Sequence, residues 1–360
     1  MKKFFTAILF VMMIFGTASA DSNVELDFEV EPALKVEEPP ESQRPVVISF
    51  AGDCALDAFP GSEYDFEHHW KNGADYYLGN VKPIFAADDI TFVNLEGALT
   101  ARPTTAVKQF PIRGEPKYVE ILTAGSVELC NLANNHIYDC GDAGFRDTVN
   151  LLNEHGIKFC GEGYSEIIDV RGMKIGFLGY AAWSDNDALR EKIFSDIHTL
   201  RSDGAEIVVV EFHWGRELAH ISDAYQNSLA HFTADSGANI IVGAHPHVIQ
   251  GVENYNGKII AYSLGNFCFG ANYNPRDKET FILQATLSRD GDAITITPRV
   301  IPCRISSTTA RNDFRPTPVE GDEAAQILNH LKEYSKTYNQ TIDFTEGNAY
   351  ERIRDDRTSD

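Results

Sequence analysis

Five apolar runs of strand length in this chain each lead into a polar side chain with an oxygen or nitrogen atom suited to a metal. Val46–Ala51 leads to Asp53, Ile90–Leu95 to Glu96, and Val127–Leu132 to Asn134-Asn135-His136. Glu206–Phe212 leads to His213, and Ile240–Val242 to His245-Pro246-His247. Short apolar runs bounded by turn residues read as buried strands, and helical patterns lie between them. Pro116–Ala124 opens with a proline suited to a first helical turn. Asp142–His155 sets Phe145, Val149 and Leu152 on one face, and Asp187–Leu200 and Tyr225–Asp235 are also helical. Val170–Tyr180 holds a hairpin that turns at Arg171-Gly172. From Val248 to Ile301 the rhythm becomes consecutive strands, with turns at Asn256-Gly257 and Asp290-Gly291, before a last helix over Glu320–Tyr338. Several βα units followed by a β-rich end predict an α/β fold of two facing mixed sheets flanked by helices. Polar groups that collect where strands end occupy the usual location of a site in such folds.

The chemistry of those groups narrows the reading. A residue before proline is pushed toward extended backbone, so His245 is expected to be extended, with His245 and His247 sharing a face. A lone histidine at a strand end is more often a satisfied structural residue than a ligand. Five strand ends of this kind reverse that weighting. Carboxylate, amide oxygen and imidazole without thiolate favour Mn²⁺, Fe or Zn²⁺ over Ca²⁺ or Mg²⁺, bound as one or two divalent ions. A carboxylate bridging two ions would hold them about 3.5–4 Å apart, the spacing of hydrolytic two-metal sites.

The ordered series Gly52-Asp53, Asn94-Leu95-Glu96-Gly97, Asn134-Asn135-His136, His213-Trp214-Gly215 and Gly243-Ala244-His245-Pro246-His247 resembles the CapA-type capsule and poly-γ-glutamate synthesis family. So do Lys108–Pro116, Asp139-Cys140-Gly141 and Tyr262–Phe267, and the likeness runs from about Val46 to Val300. That family lies within the metallophosphoesterase superfamily, and the resemblance implies its αββα sandwich and its residue roles. Asp53 would bind a first ion and Glu96 would bridge. Asn135, His213 and His245 would hold a second ion, His247 would return to the first, and His136 would serve as general acid. The superfamily's first motif usually carries a histidine two residues after its aspartate, and here that position is Ala55. Cys54 should face the opposite side of the strand from Asp53, so it is a poor substitute.

Several nearby residues admit two readings each. Asp139 either orients His136 or caps the helix that follows. Asn266 is expected to serve a backbone turn rather than a ligand role, and Glu217 a solvated surface, whereas Glu211 is a candidate to reach substrate. Arg113 is either an anion-binding guanidinium or an ordinary surface residue. The six cysteines contain no CxxC, and core thiols or one or two bridges fit them equally.

The ends fix organisation and compartment. Residues 1–20 combine Lys2-Lys3, an apolar run and Ala18-Ser19-Ala20, the pattern of a cleaved signal peptide. Residues 21–44 are acidic, with Pro32, Pro39 and Pro40, and read as a solvated linker. The catalytic-type domain is expected over 45–305, and a C-terminal helix with a polar tail over 306–360. A secreted or periplasmic protein follows. The net charge of −22 repels nucleic acid and anionic membranes. The expected partners are an anionic cell-envelope polymer or a phosphoester substrate, or a membrane polymer-synthesis/export complex. Two functions stand: a metal-dependent hydrolase, and a non-catalytic accessory protein of polymer synthesis in which metal is structural.

Overall fold

The structure, a computed structural model, describes residues 44–57 and 65–338. The expected signal peptide, the linker before Arg44 and the tail after Tyr338 lie outside the described residues. Two mixed sheets dominate. The larger runs in the order Thr317–Pro318, Ala293–Arg304, Glu279–Asp290, Val46–Ala55, Ile90–Leu95, Leu129–Asn131 and Lys158–Cys160, and Asn266–Phe269 pairs beside Val46–Ala55. The smaller runs Val252–Tyr255, Lys258–Ala261, Ile240–Ala244, Ile207–Trp214, Met173–Ala182 and Glu166–Val170. Within the larger sheet Val46–Ala55 is parallel to Ile90–Leu95 and antiparallel to Glu279–Asp290. The hairpin turns expected at Arg171-Gly172, Asn256-Gly257 and Asp290-Gly291 join antiparallel pairs as anticipated.

Period two along the strands produces the layers. Ile48, Phe50, Ile90, Phe92 and Leu129 face Ile207, Val209, Ile240 and Val242 across a middle core. Alternate residues Val93, Leu95 and Cys130 face outward against helix residues Ile121, Leu122, Phe145 and Leu152. On the other side Val208, Val210, Phe212 and Ile241 pack on Ile193, Ile197 and Leu229 of the helices Asp187–Ser202 and Ala224–Asp235. Three cores therefore separate four layers, helix–sheet–sheet–helix, as the strand and helix alternation implied. The last helix, Gly321–Tyr334, sends Ile327 and Leu331 into the middle core.

Three one-turn helices, Phe66–His69, Asp75–Leu78 and Lys82–Phe85, were not among the expected elements. A four-residue helix is too short to display a 3.6-residue period. Their buried Phe66, Tyr77, Leu78, Ile84 and Phe85 hold them to the outer core. All six cysteines are buried free thiols, which settles the choice left open between core thiols and bridges. Among the described residues no helix is long and apolar enough to cross a membrane.

Candidate metal centre

The same two-residue period that builds the middle core fills its far end with polar groups. After Phe92 the inward positions are Asn94 and Glu96, after Leu129 comes Asn131, and after Val209 come Glu211 and His213. Strand Val46–Ala55 needs a correction to join them, because straight alternation from Ile48 and Phe50 would aim Gly52 inward. A register shift between Ala51 and Asp53 supplies it. A bulge adds one residue and re-aims the side chains that follow, so Asp53 faces inward while Ala51 and Cys54 both join the outer core. Cys54 thus lies on the side away from Asp53, as expected. The bulge requires glycine, since a Cβ on Gly52 would lie 1.9 Å from the carbonyl oxygen of Gly265.

Asp53, Glu96, Asn135, His136, His213, His245 and His247 all meet at this end. Glu96 is 1 % exposed, and neither of its carboxylate oxygens has a hydrogen-bond partner. Its Oε1 instead faces three imidazole nitrogens: His136 Nε2 at 3.8 Å, His213 Nε2 at 3.9 Å and His247 Nε2 at 4.0 Å. Asn135 Oδ1 lies 2.8 Å from His213 Nε2. His247 Nδ1 lies 3.1 Å from Asp53 Oδ2. The ring of His245 sits 4.7 Å from that of His213 and 5.7 Å from that of His247, and its buried Nδ1 also has no hydrogen-bond partner. The expectation that His245 is extended is corrected. Its φ is +92° and that of His247 is +59°, so the rings converge through a strained turn rather than along one strand face. Left-handed backbone at non-glycine residues costs energy and collects at functional sites.

Burial and mutual charge set the protonation of the cluster. Burial pushes Glu96 up to about 8, against the pull of His247. Burial also works against charge on His247, but Glu96 and Asp53 outweigh it and raise that ring to about 9. His213 falls well below the usual imidazole value and His245 falls to about 4, both mainly by burial. Asp53 is lowered despite burial, because His247 and His213 lie beside it. A buried carboxylate without hydrogen bonds costs several kcal/mol unless a cation pairs with it. Asp53, Glu96 and His247 offer ligand atoms within 4.8 Å of one another. Oxygen and imidazole donors around orphaned carboxylate oxygens fit a divalent ion.

Neighbouring residues resolve the open readings. Asp139 orients His136: its Oδ2 is 2.6 Å from His136 Nδ1 and accepts from the Ile112 amide at 2.8 Å, while Lys108 donates to Oδ1 at 2.6 Å. The helix Gly141–Glu154 has no side-chain cap. Arg113 is spent internally, donating to Glu115 and to the Thr100 carbonyl. Glu211 is buried beside Asn131 rather than open to solvent, and burial raises its carboxyl well above the usual range. Glu217 is exposed, as anticipated. Asn266 departs from its expected turn role: it is 3 % exposed and its Oδ1 lies 3.0 Å from His247 Nδ1. Sequence reasoning also passed over Asn94, whose amide donates to Asp53 at 2.7 Å, and Asn131, which donates to Asn94. Polar residues in phase with the inward face of apolar strands were the signal for both. Trp183, half exposed, stands edge-on over His245 at 4.9 Å between ring centres. A single tryptophan after a strand carries no comparable signal.

The family model described as a bacterial capsule synthesis protein, PGA_cap, matches residues 47–271. The chain belongs to the bacterial capsule synthesis protein family. It is 30 % identical over 310 residues to a PGA biosynthesis protein CapA of Bacillus subtilis (strain 168), covering 79 % of each chain. It is 29 % identical to a capsule biosynthesis protein CapA of Bacillus anthracis, over 62 % of this chain and 60 % of that one. A probable polyglutamine synthesis accessory protein of Mycobacterium tuberculosis (strain CDC 1551 / Oshkosh) is 26 % identical, over 61 % of this chain and 67 % of its own. All the residues brought together at the centre of this capsule synthesis family member fall inside the matched span.

Proposed function

We propose that this protein works in the synthesis of an extracytoplasmic poly-γ-glutamate capsule polymer, and that its centre is a metal-dependent hydrolase site. The observation that supports this most is Glu96, a buried carboxylate with no hydrogen bond and three imidazole nitrogens aimed at one of its oxygens. Asp53, Glu96, Asn135, His213, His245 and His247 are the residues that would hold one or two divalent ions, of the Mn, Fe or Zn kind. Ions bound there would activate water and neutralise charge developing on a phosphoester, or on an amide or ester of an anionic polymer. His136 is assigned the proton transfer. Asp139 engages its Nδ1, which fixes the tautomer and leaves Nε2 facing the centre. Lys108 and the Ile112 amide hold Asp139 in turn. Trp183 walls the His245 side.

The test is a hydrolysis screen with Mn²⁺ over phosphodiesters, phosphomonoesters and poly-γ-glutamate. On any substrate that is turned over, His136→Ala should retain bound metal and lose about 10²–10⁴-fold in rate. Full rate without His136 would remove its role. A screen with no turnover would favour the second reading, an accessory protein in which metal is structural. That reading draws on Ala55, packed with Ile112 and Phe269 where the superfamily carries a ligand.

A further inference from the structure

Asn266 occupies a position that neither a turn nor contact with solvent explains. It opens the strand Asn266–Phe269 and stands in register with Asp53, whose amide donates to the Gly265 carbonyl at 3.0 Å. The segment before it is pinned on both sides of the histidine turn. Leu264 N donates to Gly243 O at 3.0 Å, just before His245, and Ser263 Oγ donates to Val248 O at 2.7 Å, just after His247. Thr280 Oγ1 donates to the Leu264 carbonyl at 2.8 Å. The backbone that carries Asn266 is therefore fixed relative to the histidine turn before any ligand arrives.

Two oxygens converge on one ring nitrogen. Asn266 Oδ1 is 3.0 Å and Asp53 Oδ2 is 3.1 Å from His247 Nδ1. Both are acceptors, so Nδ1 keeps its hydrogen, and Nε2 is the nitrogen whose proton an ion would replace. That Nε2 faces Glu96 Oε1 at 4.0 Å, room for one ion with bonds of about 2.0–2.2 Å on either side. Phe269, from the same short strand, packs on the ring with centroids 4.9 Å apart and narrows the space in which it can turn. A ligating histidine normally gives its other N–H to a carboxylate or carbonyl partner, and loss of that partner weakens metal binding about 10–100-fold.

We infer that Asn266 is a positioning residue of the metal centre, holding His247 in the tautomer and orientation that present Nε2 to an ion shared with Glu96. The inference rests on the metal reading of the centre. It gives the Ser263–Phe267 segment a purpose, and it supplies rigidity to a shell that lacks a ligand at Ala55. Unlike a carboxylate, the amide adds no charge, so it orients the ring without deepening the negative potential around Glu96.

The experiment is calorimetric titration of the full chain with Mn²⁺ alone, on wild type, Asn266→Ala, Asn266→Asp and His247→Ala. Asn266→Ala should bind about 10–100-fold more weakly, with the melting temperature of the chelator-treated protein unchanged. Asn266→Asp, which keeps an acceptor oxygen, should bind at least as tightly as wild type. Wild-type affinity in Asn266→Ala overturns the inference, and so does a loss as large as that of His247→Ala, which would make Asn266 a direct ligand. If Asn266→Ala does not fold, Asn266→Asp decides alone: affinity at or above wild type supports the role, and a tenfold loss overturns it. Wild type that takes up no Mn²⁺ defeats the metal reading itself, an outcome separate from wild-type binding that Asn266→Ala leaves intact.

Discussion

At the scale of single residues, the ionisable groups separate into those the centre needs and those the fold tolerates. Asp88 is of the second kind. It accepts from Thr91 Oγ1 at 2.9 Å just before the interior strand Ile90–Leu95, and burial raises its carboxyl to about 7. A carboxyl whose folded value lies above its unfolded one binds its proton more tightly when folded. Its contribution is fully present below about pH 4 and is lost as pH rises through about 7. Asp88→Asn stays neutral, so its melting temperature should gain on wild type steadily from pH 4 to pH 8. Parallel melting curves over that range would show that Asp88 does not titrate as its burial implies. Residue identity was the most legible part of the site. Asp53, Glu96, Asn135, His136, His213, His245 and His247 could be read because each follows an apolar run. Asn266 could not, because an asparagine after glycine reads equally well as turn chemistry, and only its distance from His247 decides.

At the scale of elements, strand alternation carried the reading and local irregularities defeated it. The long strands and the helices Gly141–Glu154, Asp187–Ser202 and Ala224–Asp235 lie where periodicity put them, within a few residues at their ends. The turn at His245-Pro246-His247 was misread. Proline biases the preceding residue toward extended backbone, but the hydrogen bond from the His245 amide to Asp53, at 3.2 Å to Oδ2, belongs to a tertiary arrangement that sequence spacing does not contain. The bulge before Asp53 is equally silent in the sequence, although it decides which residue faces the centre. It also yields a sharp expectation. Gly52→Ala must displace the Gly265 backbone, so it should destabilise the protein by on the order of 3 kcal/mol and weaken Mn²⁺ binding by moving both Asp53 and Asn266. Denaturant unfolding and metal titration of the variant check both effects. A Gly52→Ala protein as stable as wild type would mean that the strand crossing is looser than described.

At the scale of the whole molecule, the four-layer sandwich explains why the centre is buried yet assembled from distant parts of the chain. Two sheets share a middle core made of Val, Ile, Leu and Phe over most of its length, and they end in a polar rim where their parallel strands finish. The packed core holds the facing strand ends at a fixed separation, which a set of ligands on independent loops would lack. The cost is a buried carboxyl without a hydrogen bond, Glu96, together with two imidazoles, His213 and His245, forced toward neutrality by burial. A bound divalent ion relieves that cost, and a ligand that binds only the folded state stabilises it by mass action, by about 2.7 kcal/mol at a hundred times its dissociation constant. The most direct measurement is therefore metal content by elemental analysis of the full chain, paired with its melting temperature after chelation and after adding back Mn²⁺ or Zn²⁺. The account predicts at least one tightly held transition-metal ion per chain, a melting temperature that falls on chelation and recovers on reloading, and loss of both responses in His245→Ala. A protein that carries no ion, takes none up, and melts at the same temperature with and without metal would contradict it.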